Sequence, residues 1–129
     1  MRTTILPWIF SGFFVLLFSC GKTKPLPEVE DVVEPLTSRE MIQLGQKLFN
    51  GKGTCNSCHQ VDQKTVGPSI REIISVYDQH QVSIVTFLKG DGEAIVDPKQ
   101  FIIMQANFAI TKKMRTQELE AIEAYMRSL

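Results

Sequence analysis

The sequence predicts an all-α protein, and three observations lead to this class. Apolar residues recur at helical spacing near both ends of the region 37–129. No segment shows the sustained alternation of apolar and polar residues that is typical of a strand. The stretch from Gly90 to Pro98 contains two glycines and a proline, which favours a loop between helical segments.

The composition narrows the class of protein further. The chain has 129 residues, enough for one domain. Its 14 basic residues balance 14 acidic ones, so it lacks the excess of positive charge that a nucleic-acid-binding protein needs. Three cysteines are too few, and odd in number, for a disulfide scaffold. We therefore expect a small globular domain without a nucleic-acid partner, whose cysteines have other roles.

The N-terminus resembles the leader of a bacterial lipoprotein. A short charged start precedes an apolar run over residues 5–18, which is shorter than the about 20 residues of a bilayer-spanning helix. Cys20 then follows a small residue and precedes Gly21. The resemblance implies that residues 1–19 are a signal peptide and that Cys20 is acylated, which would anchor the domain to the membrane. An uncleaved membrane anchor with an incidental cysteine is the alternative, and in both cases the domain is exported.

Residues 20–36 are predicted to be the lipidated cysteine and a flexible linker. Three prolines and four acidic residues after Gly21 cannot form a packed helix. Such a segment is semi-extended and would hold the domain away from the membrane surface. The folded domain is then predicted to cover residues 37–129.

The first helix of this domain is predicted to begin after Thr37. Thr37 and Glu40 have the spacing of a capping box, in which the side chain of each residue bonds the backbone amide of the other. Gly51 and Gly53 are expected to end the helix. Between them lies an apolar stripe at helical spacing formed by Met41, Leu44, Leu48 and Phe49.

The run Cys55-Asn56-Ser57-Cys58-His59 carries the chemistry of the sequence. A C-x-x-C-H motif predicts covalent attachment of a c-type haem. Residues at positions i and i+3 of one helical turn face the same side, so both thiols can add to vinyl groups of one porphyrin. The histidine that follows is then placed as an axial ligand of the iron.

Two other readings of these cysteines have less support. A thioredoxin-type dithiol belongs near a βαβ pattern, and the sequence shows none. A structural zinc site needs four cysteine or histidine ligands. Besides Cys55, Cys58 and His59, the domain offers only His80.

Three further helices are predicted after the motif. Two are weaker segments, at about residues 69–78 and 81–89. Thr116 is expected to cap the last helix, because acidic residues follow it in the first turn, where the helix dipole favours negative charge. The apolar stripe of that helix consists of Leu119, Ile122, Tyr125, Met126 and Leu129.

With these features in order, residues 38–129 resemble a monohaem class I cytochrome c of the bacterial periplasm. The first helix ends Gly45-Gln46-Lys47-Leu48-Phe49, the C-x-x-C-H motif follows, and Val66-Gly67-Pro68-Ser69-Ile70 matches the family's Gly-Pro segment. The resemblance implies a cytochrome c fold, in which the N- and C-terminal helices cross around a covalently bound haem. It places Gly45 and Tyr125 at that crossing.

The resemblance also implies the roles of the residues around the iron. Cys55 and Cys58 would form the thioether bonds, and His59 would be one axial ligand. The backbone carbonyl of Pro68 would accept a hydrogen bond from the free ring nitrogen of His59, which orients the ring and raises its basicity. The family places its axial methionine in the segment that holds Met104.

Met104 is therefore the predicted sixth ligand, and other candidates remain open. Met114 and His80 are the alternatives, as is an open coordination position. Met41 and Met126 belong to apolar helix stripes and are expected to pack in the core. The expected walls of the haem pocket are Phe49, Ile70, Phe87, Leu88, Ile102, Ile103 and Phe108.

The function implied by the resemblance is one-electron transfer by a membrane-tethered periplasmic protein, and not enzymatic catalysis. Its partners would be redox proteins of a respiratory chain or a periplasmic oxidoreductase. A haem enzyme or gas sensor with an open sixth position is the alternative function. A basic rim that steers an acidic partner is one interpretation of five lysines, and ordinary solvated surface is the other: Lys47, Lys52, Lys64, Lys112 and Lys113.

Overall fold

A computed structural model describes residues 35–129 of the chain. Within this range the chain forms helices and loops and no strand, so the all-α prediction is confirmed. The elements, in chain order, are α1 (Ser38–Asn50), a 3₁₀ helix (Cys55–Ser57), α2 (Ile70–His80), α3 (Ile84–Leu88), α4 (Phe101–Gln105), α5 (Phe108–Thr111) and α6 (Thr116–Arg127).

Helix α1 begins and ends where its sequence predicts. The Thr37 hydroxyl accepts a hydrogen bond from the Glu40 amide at 3.3 Å, and the Glu40 carboxylate accepts one from the Thr37 amide at 2.8 Å. This capping box satisfies two amides that have no partner inside the helix. Gly51 caps the C-terminus by donating its amide to the Lys47 carbonyl.

The crossing of α1 and α6 organises the fold, as the family resemblance implies. A Cβ atom at Gly45 would lie 1.8 Å from the Ala121 carbonyl oxygen and 2.7 Å from the Cβ of Tyr125. The two backbones can approach this closely only because Gly45 has no side chain. One turn later, the rings of Phe49 and Tyr125 meet edge to face, with centroids 5.4 Å apart.

The start of α6 differs from the prediction. Thr116 is the first residue of the helix and not its cap, and the cap position is occupied by Arg115. The Glu118 carboxylate reaches back to accept a hydrogen bond from the Arg115 amide at 2.8 Å. A carboxylate in the first turn thus replaces the hydroxyl cap. Its negative charge also interacts favourably with the positive end of the helix dipole.

The apolar stripe of α6 is confirmed in its centre and wrong at its end. Leu119, Ile122 and Met126 are buried, and Ala121 is buried with them at the crossing. Leu129 lies beyond the end of the helix and is 37% exposed. The helix ends at Arg127, so Leu129 lies after its last turn and does not continue the apolar stripe.

The two middle helices are present with shifted bounds. Helix α2 runs to His80, two residues further than expected, and Gln81 ends it in the left-handed conformation. Helix α3 begins only at Ile84, because Ser83 takes the cap position and accepts the amide hydrogen of Thr86. The glycine-rich stretch from Gly90 to Pro98 is irregular, as predicted.

The short helices α4 and α5 were not predicted as helices. Neither has a side chain that caps its N-terminus, and each is too short to show helical periodicity. They lie between the loop 90–98 and α6. They place Met104 and Asn107 in the wall of a cavity that also contains His59.

Some predictions fall outside the described residues. The signal peptide, Cys20 and nearly all of the linker precede residue 35. None of the helices in residues 35–129 has the length and hydrophobicity needed to cross a bilayer.

Candidate haem site

The C-x-x-C-H motif forms a tight turn at the edge of a cavity. The amides of Cys58 and His59 both donate to the Cys55 carbonyl, at 3.1 and 3.0 Å. Thr54 enters the turn in the left-handed conformation, with φ of 51°. The turn brings Cys55, Cys58 and His59 to one cavity wall, as the spacing of the motif predicts.

The two thiols are free and partly buried. Burial raises the pKa of the Cys55 thiol to about 11, so this group is protonated at neutral pH. A reactive redox dithiol needs a lowered pKa. The observation therefore disfavours thioredoxin-type chemistry and is consistent with cysteines that are consumed by covalent attachment.

The His59 ring is fixed from two directions. Its Nδ1 atom lies 2.7 Å from the Pro68 carbonyl oxygen, which is the hydrogen bond that the family resemblance implies. A Cβ at Gly67 would lie 2.4 Å from Cε1 of the same ring, so only glycine lets the backbone pass this close. With Nδ1 donating to Pro68, Nε2 is left as the nitrogen that can bind iron.

The cavity beside His59 has a volume of about 380 Å³ and mostly apolar walls. Its size and lining are those of a small-molecule or cofactor site. Of the predicted walls, Phe49, Ile70, Phe87, Leu88 and Ile103 line it.

Two predicted wall residues are not part of the lining. Ile102 is 74% exposed, because it lies on the outer face of α4. Phe108 is buried instead against the rings of Phe87 and Phe101, with centroids 5.5 and 5.9 Å away. It supports the wall from behind.

Met104 lines the same cavity as His59, and the structure separates it from two of its competitors. Met114 is buried in the helical core and does not line the cavity. His80 is exposed at the end of α2 and is also outside the lining. Met126 lines the cavity from α6 while it packs in the core.

Sequence reasoning did not single out several other lining residues. Tyr77 is 4% exposed, and its burial, helped by the negative charge of Glu123, raises its phenol pKa to about 12. It therefore presents a neutral hydroxyl. Gln100 adds a polar group at the start of the Met104 segment, and Asn107 adds one at its end. The helical spacing of Ile70, Ile73 and Tyr77 was the available signal for the α2 wall.

Two of the five lysines considered for a basic rim are held in ion pairs. Lys52 pairs with Glu118 at 3.0 Å, and Lys64 pairs with Asp97 at 2.5 Å. Neither these two nor the other three lysines line the cavity. Its exposed lining includes apolar Val66 and Ile103, each 48% exposed.

The residues present fit a covalently attached haem. The cavity combines two unpaired thiols, an oriented imidazole and a thioether with apolar walls. In residues 35–129, no three His, Cys, Asp or Glu side chains lie close enough together to hold a bare metal ion. Two thiols at this spacing and one free imidazole nitrogen fit the attachment of a c-type haem.

Comparison with known proteins gives the same answer. The family model described as Cytochrome c matches residues 42–129, which include every residue that lines the cavity. No curated protein matches the chain. The matched domain binds covalently attached haem c, and Cys55 and Cys58 have the spacing of its attachment motif.

Proposed function

The chain belongs to the cytochrome c family, and from this premise we propose that it carries single electrons while tethered to a membrane, with His59 and Met104 as the axial ligands. Proteins of the family are generally electron carriers. The observation that supports this ligand set is the position of His59 and Met104 in the walls of one cavity that also holds both thiols.

The ligand residues account for a carrier function. Histidine and methionine ligands would give a bound haem a raised reduction potential, and that haem would supply one-electron chemistry. If both His59 and Met104 bound the haem, no ligand position would be left for oxygen or peroxide. The Pro68 carbonyl and Gly67 hold His59 in one orientation, so little structural change accompanies a change of charge.

The membrane tether completes the proposal. Acylation of Cys20 would anchor the mature protein on the periplasmic side of a bacterial membrane, with the linker up to residue 36 as a spacer. The partners would then be redox proteins of a respiratory chain or a periplasmic oxidoreductase. A mass spectrum of the mature protein tests this part, since one haem and the acyl chains each add a known mass. A protein that retains residues 1–19 without acyl groups would contradict it.

The ligand assignment is tested by absorption spectroscopy of the oxidised and reduced protein. We expect low-spin spectra in both states and a weak sulfur-to-iron charge-transfer band in the oxidised state. Met104→Ala is expected to abolish that band, while Met126→Leu, which changes the other methionine of the cavity at similar volume, should retain it. Persistence of the band in Met104→Ala would show that the assignment is wrong.

Carbon monoxide distinguishes the carrier from the alternative of a haem enzyme or gas sensor. The reduced wild-type protein should bind carbon monoxide slowly, because Met104 must leave first, and Met104→Ala should bind it rapidly. Rapid binding by the wild type would favour the open-site alternative.

A further inference from the structure

An ion pair joins the two walls of the cavity that carry the proposed iron ligands. Lys64 Nζ lies 2.5 Å from Asp97 Oδ2. Lys64 follows the C-x-x-C-H motif by a few residues, and Asp97 precedes α4, the helix of Met104. The side chain of Asp97 is only 16% exposed, whereas that of Lys64 is 53% exposed.

Lys64 belongs to a loop that is bound tightly to the His59 turn. Its neighbour Thr65 donates its hydroxyl to the Cys58 carbonyl at 2.7 Å. The Gly67 amide donates to the same carbonyl at 2.9 Å. Lys64 therefore has a nearly fixed position relative to His59.

Asp97 is bound in the same way to the start of α4. Its Oδ1 atom and its carbonyl oxygen accept hydrogen bonds from the Gln100 amide, at 3.3 and 3.1 Å. Gln100 occupies the cap position of α4 and contributes no capping bond from its own side chain. A helix of this length does not persist without outside contacts, so Asp97 helps to define the path of the backbone towards Met104.

A second tie follows Met104. The Asn107 side-chain amide donates to the Gly53 carbonyl at 3.2 Å, two residues before Cys55. The Asn107 backbone amide donates to the Met104 carbonyl at 2.9 Å. The segment 97–107 is thus held at both ends to the part of the chain that carries the haem-attachment motif.

We propose that Lys64 and Asp97 are positioning residues that hold the segment 97–107, and with it Met104, against the His59 side of the cavity. This inference rests on the proposed function, in which Met104 binds the iron. A thioether is a neutral, weak donor, so its bond depends on how well the protein places it. The pair acts on Met104 through the backbone, since neither side chain hydrogen-bonds to His59 or Met104.

The charges of the pair are well matched to this role. The hydrogen bond to Asp97, with its negative charge, holds the pKa of Lys64 above its ordinary value, and the same bond holds the pKa of Asp97 below its own. The nearby carboxylate of Glu72 acts on Lys64 in the same direction. Both partners therefore keep their charges through the neutral range. An ion pair near the protein surface contributes little free energy. Its loss should therefore raise the population of the detached methionine only about two- to fivefold.

The test uses imidazole binding to the oxidised holoprotein, because imidazole enters only after the methionine leaves. We expect Lys64→Gln and Asp97→Asn each to raise the limiting rate of imidazole binding about two- to fivefold. The asparagine retains the Oδ1 atom that accepts the Gln100 amide hydrogen, so it removes the ion pair alone. Lys64→Arg should restore the wild-type rate, because arginine can form the same pair.

The matched control is Lys99→Gln, which removes one positive charge from the same segment. Lys99 has no ion-pair partner among residues 35–129, and its substitution should leave the rate unchanged. Equal rates in Lys64→Gln and Lys99→Gln would overturn the proposal. So would a lower urea midpoint of unfolding in Lys64→Gln at an unchanged imidazole rate, since that pattern is a general loss of stability.

The same measurements separate this inference from the function on which it rests. A wild-type protein without the charge-transfer band overturns the methionine ligation, and the positioning role falls with it. A wild-type protein that has the band, with imidazole rates that do not respond to Lys64→Gln, retains the carrier function and overturns the positioning role alone.

Discussion

At the scale of single residues, the orientation of His59 depends on one glycine. Gly67 is buried against the His59 ring, and its amide and carbonyl are both used in the loop that follows the motif. The ring has no room to turn unless that loop moves. The orientation of His59 is therefore set by the backbone of its neighbours, together with the Pro68 carbonyl.

Gly67→Ala is expected to lower the stability of the holoprotein by about 1–3 kcal/mol, which is the usual cost of overpacking. The new Cβ would lie 2.4 Å from the ring, so either the ring or the loop must shift. The urea midpoint of unfolding, followed by haem absorbance, measures the effect. Gln63→Ala, on the exposed part of the same loop, is the control and should change the midpoint little. Equal midpoints for the two variants would contradict this account of His59.

At the scale of elements, the helices differ in what forms them. Helix α1 has its own capping box and an apolar stripe, and α6 has an acidic first turn and a buried face. These signals are local, and they allowed both helices to be predicted. Helices α4 and α5 have no such signals and form where the chain passes between the cavity and the core.

The crossing of α1 and α6 gives the sharpest prediction at this scale. Gly45→Ala should lower the free energy of unfolding by about 2–3 kcal/mol, because the added methyl overlaps the backbone of α6. Gln43→Ala is the matched control on the exposed face of α1. Alanine has the higher helix propensity, so this variant should be neutral or slightly stabilised. Comparable losses in both variants would show that the crossing tolerates a side chain at residue 45.

At the scale of the whole molecule, the haem completes the core. The cavity of about 380 Å³ is large for so small a domain. Because the total stability of a small domain is about 5–15 kcal/mol, we expect the helices to depend on a group that covers these apolar walls.

Replacement of both Cys55 and Cys58 with serine is therefore expected to give a chain that loses most of its tertiary packing when no haem is present. Near-ultraviolet circular dichroism should be weak, while part of the helical signal remains. Addition of free haem should restore packing through His59 and the apolar walls. A double variant that gives a native-like near-ultraviolet spectrum without haem would show that the haem is not needed to complete the core.

The sequence by itself determined the helical class, the ends of α1 and the haem-attachment motif. Each of these depends on spacing within one helical turn or within a few neighbouring residues, so it is visible before the chain folds. Roles of residues before residue 35, such as acylation of Cys20, stay predictions.

Only the tertiary structure decided which side chains meet across the cavity. Met104 and Met114 are both methionines in the segment that precedes α6. Only the packing of α4 and α5 places the first in the cavity wall and the second in the core. The pairs Lys64–Asp97 and Asn107–Gly53 join residues that are far apart in the chain. Such contacts depend on how whole helices pack, because local propensity carries no information on which distant group will be near.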